Sequence, residues 1–159
     1  MMPAGPNGCE QVLPCRYDSN LAHVLQPEYS YVDGMSALCI FLSAGVGALL
    51  RWVLGLALNP LFPPLPLGTL AANVIGGFLM GIMLGLFAQF EALPPALRLA
   101  ATTGFLGGLT TFSTFSGETA TAALRQEYFW ASAIIVTHVC GSLLATFGGL
   151  GVTRWFFKS

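Results

Sequence analysis

The chain has 159 residues, of which 55% are hydrophobic and only 8% are charged, and its mean hydropathy is +0.72. A soluble domain is about 25% charged, so six basic and seven acidic residues are too few to cover a soluble fold of this size. The net charge of −1 gives no basic field for nucleic acid, which is excluded as a partner. The composition predicts an integral membrane protein, whose surroundings are the lipid bilayer.

The first 34 residues differ in character from the rest of the chain. They are polar and rich in Pro, Gly and Asn, and they lack the basic start and apolar run of a secretory signal. Two interpretations stay open. The segment is a disordered extension, or the start codon has been assigned too early, since Met35 directly precedes the first apolar stretch. We therefore separate residues 1–34 from a transmembrane domain over residues 35–159.

Four apolar stretches follow, each long enough to cross a membrane, which takes about 20 residues. They cover residues 35–58, 67–90, 97–124 and 128–153. All ten prolines lie outside these stretches, and proline breaks helices and marks connections. A membrane β-barrel would instead show short segments with period-2 alternation, and none is present in the sequence. The predicted fold is an all-α membrane protein with four transmembrane helices.

The first span carries a single charge, Arg51, near its end. This position favours a side chain that snorkels to the lipid headgroups, and the alternative is an arginine that attracts anions at a pore mouth. The loop charges do not fix an orientation, because Arg98, Arg154 and Lys158 on one side oppose Arg51 and Arg125 on the other. Either the extension tips this balance, or the chain inserts both ways and pairs as an antiparallel dimer.

The second span combines a glycine stripe with one polar residue. Gly77, Gly81 and Gly85 repeat every four residues and so share one helix face, which lets another helix approach closely. Packing is the predicted role of these glycines. Because helices packed so tightly leave little room inside one chain, a pore would form between chains. Asn73 lies in the middle of the span and either joins helices or offers an amide donor to a ligand.

The third span has an irregular centre, with the sequence GFLGGLTTFSTF over residues 104–115. Adjacent glycines and β-branched hydroxyl residues are poor helix formers, so we expect a break near residues 107–111. In a membrane, such irregular backbone is tolerated where it is buried in protein or lines a cavity, and freed carbonyls there can coordinate Na⁺. The alternative is a kinked helix whose hydroxyls bond to their own backbone.

The same span places aromatic and hydroxyl side chains together. Phe112 and Phe115 lie three residues apart and share a helix face, beside the hydroxyls of Ser113 and Thr114. Two phenylalanines at this spacing commonly serve packing alone. However, the edge of an aromatic ring is electropositive, so these residues together with Asn73 also suit a small anion.

Glu118 and His138 are ionisable residues well inside later spans. Glu118 is a functional candidate by its depth, and it would relay protons, pair with an arginine or lie near the interface. His138 in the fourth span is more typical of a packing residue, and no partner for it is evident. No nucleophile–base pattern or phosphate loop is present in the sequence, so we do not predict an enzyme.

Residues 104–115 closely resemble the signature of the CrcB, or Fluc, fluoride channel family. Three further matches agree in order and spacing, namely GVGALLRW over residues 45–52, GTLAAN over residues 68–73, and Glu118. The resemblance extends from Met35 to the C-terminus. Such a long specific run does not arise from composition alone.

The resemblance implies a dual-topology homodimer with two antiparallel fluoride pores and a structural Na⁺ at its centre. It also implies passive export of fluoride from the cytoplasm through the inner (plasma) membrane. Matched by motif, Na⁺ would bind the backbone carbonyls of Gly107 and Thr110, and Arg51 would lie near the pore mouth. The residues matched to the anion pathway are Asn73, Phe112, Ser113, Thr114, Phe115 and Glu118.

Two other functions fit parts of the sequence. A small dual-topology, proton-coupled multidrug transporter also has four short helices, but it depends on an acidic residue in its first span, and residues 35–58 contain none. A non-transporting subunit of a larger complex would explain the glycines but not the Asn, hydroxyl and Phe residues. The fluoride channel accounts for the most residues.

Overall fold

The computed structural model describes residues 34–90 and 93–157. The predicted N-terminal extension lies outside the described residues except for Gly34, where the first helix begins. Within these two ranges the regular secondary structure is entirely helical. The all-α prediction is therefore confirmed for the part of the chain that the structure describes.

Three long helices correspond to the first, second and fourth predicted spans. They are α1 (Gly34–Leu58), which continues into a 3₁₀ turn at Asn59–Leu61, α2 (Leu67–Gln89) and α6 (Tyr128–Phe156). With 25, 23 and 29 residues, these helices are about 35–44 Å long, against a hydrocarbon core of about 30 Å. By length and composition all three can cross a membrane.

The third predicted span is divided into short pieces. It comprises α3 (Pro95–Leu99), a π-helical segment (Ala100–Leu106), α4 (Gly107–Leu109) and α5 (Phe112–Leu124). Between α4 and α5 the backbone is extended, with ψ of 155° at Thr110 and 122° at Thr111. No piece is long enough to cross a membrane alone, so the described residues contain three helices of spanning length rather than four. The break lies within the predicted range of residues 107–111.

The glycine stripe brings α2 and α6 together. A Cβ added at Gly77 would lie 2.7 Å from the carbonyl oxygen of Ser142, and one added at Gly81 would collide with the backbone of Thr146. Gly149 on α6 approaches α2 in the same way. The prediction that these glycines serve close helix packing is confirmed.

The broken segment lies between α1 and α2. On the α1 side, a Cβ at Gly47 or Gly108 would collide with the opposite backbone, and one at Gly104 would collide with Ser43. On the α2 side, Leu106 and Leu109 form a small buried core together with Ala72. The chain thus covers one side of the break with protein, while Gly107 and residues 112–114 stay exposed on its surface.

Candidate functional site at the helix break

Asn73 holds the break from the neighbouring helix α2. Its side chain is 9% exposed, and its Oδ1 accepts a hydrogen bond of 2.8 Å from the N–H of Thr111. Its Nδ2 donates to the carbonyl of the same residue over 3.1 Å. The amide thus pairs with both backbone groups of Thr111, which have left the helical ladder. This contact allows Thr111 to stay extended without leaving buried backbone groups unpaired.

The two carbonyls predicted to bind Na⁺ lose their helical donors. The N–H of Thr111, which a continuous helix would direct to Gly107 O, binds Asn73 instead. The N–H of Thr114, which would bind Thr110 O, is capped by Thr111 Oγ1 at 3.2 Å. Both carbonyl oxygens therefore have free acceptor capacity of the kind that coordinates Na⁺. The residues present fit such an ion.

Arg51 turns toward the break. Its Nε donates to Gly108 O over 3.1 Å, and the side chain is half-buried. The preferred interpretation of a snorkelling side chain is therefore wrong. The break supplies the physical reason, because a carbonyl next to an interrupted helix is a strong acceptor, and a hydrogen bond from a charged donor contributes roughly 1.5–3 kcal/mol.

His138 is the functional candidate that sequence reasoning missed. It is 3% exposed, as a packing residue would be, and its Nδ1 lies 3.1 Å from Asn73 Nδ2, a partner that was not evident in the sequence. Its Nε2 is buried and has no hydrogen-bond partner among the described residues. One signal was available in the sequence, because polar side chains at membrane depth in different spans tend to pair with one another.

Phe115 lies beside this pair. Its ring is buried, with its centroid 5.0 Å from that of His138 and 5.4 Å from that of Phe112. The Phe112 side chain is instead 79% exposed. The two phenylalanines are in contact, as their spacing predicts, but one lies inside the chain and the other on its surface.

Glu118 lies farther along α5 and contacts α2. Its Oε1 accepts a 2.7 Å hydrogen bond from Thr69 Oγ1, while its Oε2 is buried without a hydrogen-bond partner in the described part of the chain. Thr69 is four residues before Asn73 and thus on the same face of α2. We call the five residues along this path the polar column: Thr69, Asn73, Phe115, Glu118 and His138.

The remaining predicted residues lie on the surface of the chain. Ser113 and Thr114 are exposed, and Thr111 Oγ1 lies 3.2 Å from Ser113 Oγ and 3.1 Å from Thr114 Oγ1. We call these three residues the hydroxyl cluster. The structure therefore separates the predicted anion-pathway residues into two groups. Asn73, Phe115 and Glu118 belong to the polar column, whereas Phe112, Ser113 and Thr114 face outward.

The polar column contains two unpaired atoms, His138 Nε2 and Glu118 Oε2. A buried polar group without a partner destabilises the fold by roughly 1–3 kcal/mol, and native proteins contain few of them. Glu118 shares α5 with Phe115, and His138 on α6 contacts the Phe115 ring. This arrangement suits a small polar guest, such as an ion or water molecule.

Comparison with known proteins identifies relatives of this chain. The profile of the family described as "CrcB-like protein, Camphor Resistance (CrcB)" matches residues 38–150. A "Fluoride-specific ion channel FluC" of Nitrosospira multiformis is 56% identical over 112 residues, covering 70% of this chain and 88% of the relative. Proteins of the same name from Burkholderia vietnamiensis and Burkholderia lata are 52% and 53% identical, covering 76% and 75% of this chain and 95% and 93% of theirs.

The matched region includes most of α1, all of α2 and of the broken segment, and most of α6. It therefore contains every residue of the polar column and the hydroxyl cluster. Three apolar helices of spanning length, together with this match, make the chain an integral membrane protein. The chain belongs to the CrcB family.

Proposed function

We propose that this protein is a fluoride-selective channel that passively exports fluoride from the cytoplasm and so lowers its toxicity. The observation that carries the proposal is the polar column, with its two unpaired buried atoms and the ring of His138 beside that of Phe115. The name of the relatives, fluoride-specific ion channel, supports the same ion. Passive export places the protein in the inner (plasma) membrane as a multi-pass protein.

Fluoride is small and strongly hydrated, so a narrow pore must replace its water donors. Hydroxyls donate hydrogen bonds, while the positive edges of the phenylalanine rings attract the anion more weakly. Conduction needs this balance, because an ion that binds too tightly cannot leave. The proposed pathway contains Asn73, Phe112, Ser113, Thr114, Phe115 and Glu118, with Arg51 near its mouth.

We propose further that two chains assemble as an antiparallel homodimer. The support comes from the surface, where Phe112, Ser113 and Thr114 are exposed on a single chain. Hydroxyls at membrane depth need protein or water beside them rather than lipid, and a second copy would supply that cover. The small charge bias between the two sides is consistent with insertion in both orientations.

The carbonyls of Gly107 and Thr110 are the proposed ligands of a structural Na⁺ at the centre of the dimer. Their helical donors are diverted to Asn73 and to Thr111 Oγ1, which supports this assignment. Two chains would contribute four such oxygens. When bound, the cation would hold the subunits together and offset the repulsion between nearby anions.

A small proton-coupled multidrug transporter is the alternative function, and it is less well supported. It would need an acidic residue in the first span, whereas α1 contains none. Glu118 lies in α5 and is hydrogen-bonded to Thr69.

Fluoride efflux from liposomes tests the proposed function. Purified protein is reconstituted, and release is followed with a fluoride electrode, beside chloride-loaded vesicles as the control. We expect rapid release of fluoride and retention of chloride. Retention of fluoride in vesicles that contain folded protein would overturn the proposal and reopen the transporter alternative.

A labelling experiment tests the antiparallel assembly. Cys39 and Cys140 are replaced by alanine, together with the cysteines of the N-terminal segment, and a cysteine is introduced as Arg125→Cys in the turn after α5. With dual insertion, a membrane-impermeant thiol reagent should label about half of the molecules in intact cells and the rest after permeabilisation. Complete labelling, or none, before permeabilisation would exclude dual insertion.

A further inference from the structure

The amide group of Asn73 is fully engaged within the chain. Its oxygen accepts from the N–H of Thr111, and this bond fixes which end of the amide carries the nitrogen. An asparagine side chain has two N–H donors. One donates to the carbonyl of Thr111 and the other faces Nδ1 of His138. No N–H of Asn73 therefore remains for a transported anion.

This arrangement also fixes the tautomer of His138. Because Asn73 Nδ2 can only donate, the Nδ1 atom that lies 3.1 Å away must accept through its lone pair. A neutral imidazole with an unprotonated Nδ1 carries its proton on Nε2. A protonated imidazole would instead place the Nδ1–H of His138 against an N–H of Asn73 Nδ2. The free donor of the polar column is thus the Nε2–H of His138, which is buried and without a partner in the described residues.

We infer that His138 donates its Nε2–H to the transported anion, and that Asn73 acts through His138 as a positioning residue. The inference rests on the proposed fluoride channel and assigns the roles within it. The ring of His138 lies beside that of Phe115, with 5.0 Å between their centroids, so the N–H and an aromatic edge could serve one ion together. A neutral N–H gives a directed hydrogen bond without the full attraction of a charge, so the anion can leave again.

Two variants of His138 separate this role from simple packing. In His138→Asn the amide oxygen takes the place of Nδ1, which keeps the acceptor for Asn73 but removes the donor at Nε2. In His138→Gln the longer side chain reaches the place of Nε2 and can present an N–H there. We expect fluoride efflux to fall at least about tenfold in His138→Asn, as for the loss of one hydrogen bond to an ion. His138→Gln should stay within about threefold of the unmodified protein.

The inference would be overturned if His138→Gln were impaired in fluoride efflux and His138→Asn were not. If His138 serves only to hold Asn73, His138→Asn should conduct normally and His138→Gln should be the impaired variant. Full efflux from both would likewise remove His138 from the pathway. Folding is checked by comparing thermal melting of both variants with the unmodified protein in the same detergent.

Nitrogen-15 NMR of labelled histidine gives a readout that does not depend on flux. The chain has two histidines, so His23→Ala, outside the described residues, leaves His138 as the only reporter. We expect an unprotonated Nδ1 and a protonated Nε2, and added fluoride but not chloride should shift the Nε2 resonance. A protonated Nδ1, or an Nε2 resonance that fluoride leaves unchanged, would refute the assignment.

The experiments distinguish the failure of this inference from the failure of the proposed function. If the unmodified protein releases no fluoride, the channel proposal fails and the inference fails with it. If it releases fluoride while the Nε2 resonance is insensitive and His138→Asn conducts normally, the channel stands and only the role of His138 is refuted.

Discussion

Replacing Asn73 by alanine tests how the break is held. The substitution removes three hydrogen bonds at once, two to the backbone of Thr111 and one to His138. The N–H and C=O of Thr111 would then lose the partners that Asn73 provides. We therefore expect Asn73→Ala to destabilise the fold more than the loss of an ordinary polar side chain.

The size of this effect follows from the number of bonds. Hydrogen bonds between membrane helices average about 0.6 kcal/mol, so three contribute about 2 kcal/mol. Buried groups left unpaired add roughly 1–3 kcal/mol. The free energy of unfolding should fall by about 3–5 kcal/mol in total. Asn59 provides a matched control, because its side chain accepts one hydrogen bond, from the N–H of Gly68 at 2.8 Å.

Unfolding by sodium dodecyl sulfate in mixed micelles, followed by far-ultraviolet circular dichroism, measures both variants against the unmodified protein. Asn59→Ala should cost about 1 kcal/mol or less. If Asn73→Ala costs no more than Asn59→Ala, the amide of Asn73 does not hold the break, and the account of the freed carbonyls fails with it.

Three further predictions concern packing, flux and the arginine. Gly81→Ala should destabilise the fold by about 1–3 kcal/mol, because the added Cβ collides with the backbone of α6. Gly148→Ala should change thermal stability little, because no atom lies within 4 Å of a Cβ added at Gly148. Phe112→Ile should lower fluoride efflux from liposomes at least about tenfold, because it removes an aromatic edge from the proposed pathway, whereas Phe147→Ile on an exposed part of α6 should conduct normally. Arg51→Lys should lower thermal stability, because lysine has no Nε to reach the break.

Each of these predictions has a contradicting outcome. Equal melting temperatures for the two alanine variants would mean that α6 can move away from α2 without penalty. Normal efflux from Phe112→Ile would exclude that side chain from the pathway. Unchanged stability of Arg51→Lys would show that an ammonium group serves as well as the guanidinium.

The sequence was sufficient to predict the break, but not what holds it. Adjacent glycines and β-branched threonines are poor helix formers wherever they occur, so a local argument placed the interruption within residues 107–111. The extended residues are Thr110 and Thr111, and Asn73 contacts the second of them from another helix. Such a contact depends on how α2 packs against the broken segment, and local helix propensity gives no information about that packing.

The inward turn of Arg51 was missed for a related reason. From position alone, an arginine near the end of a span has its nearest polar surroundings at the lipid headgroups. The break creates a second polar destination at membrane depth, the carbonyl of Gly108. Only the packing of α1 against α4 brings that carbonyl within reach.

The glycine stripe and the polar column belong to one helix contact. Gly77 contacts Ser142 and Gly81 contacts Thr146 where α2 packs against α6. Asn73 lies one turn before Gly77, and His138 lies one turn before Ser142, so the same alignment of the two helices brings Asn73 and His138 together. The two residues of each pair are the same number of positions apart in the sequence, because parallel α-helices in contact rise by the same distance per residue. The glycines therefore do more than permit tight packing, since they fix the alignment that brings the imidazole opposite the amide. Packing and site are inseparable here, and the role of His138 could be read only once that alignment was known.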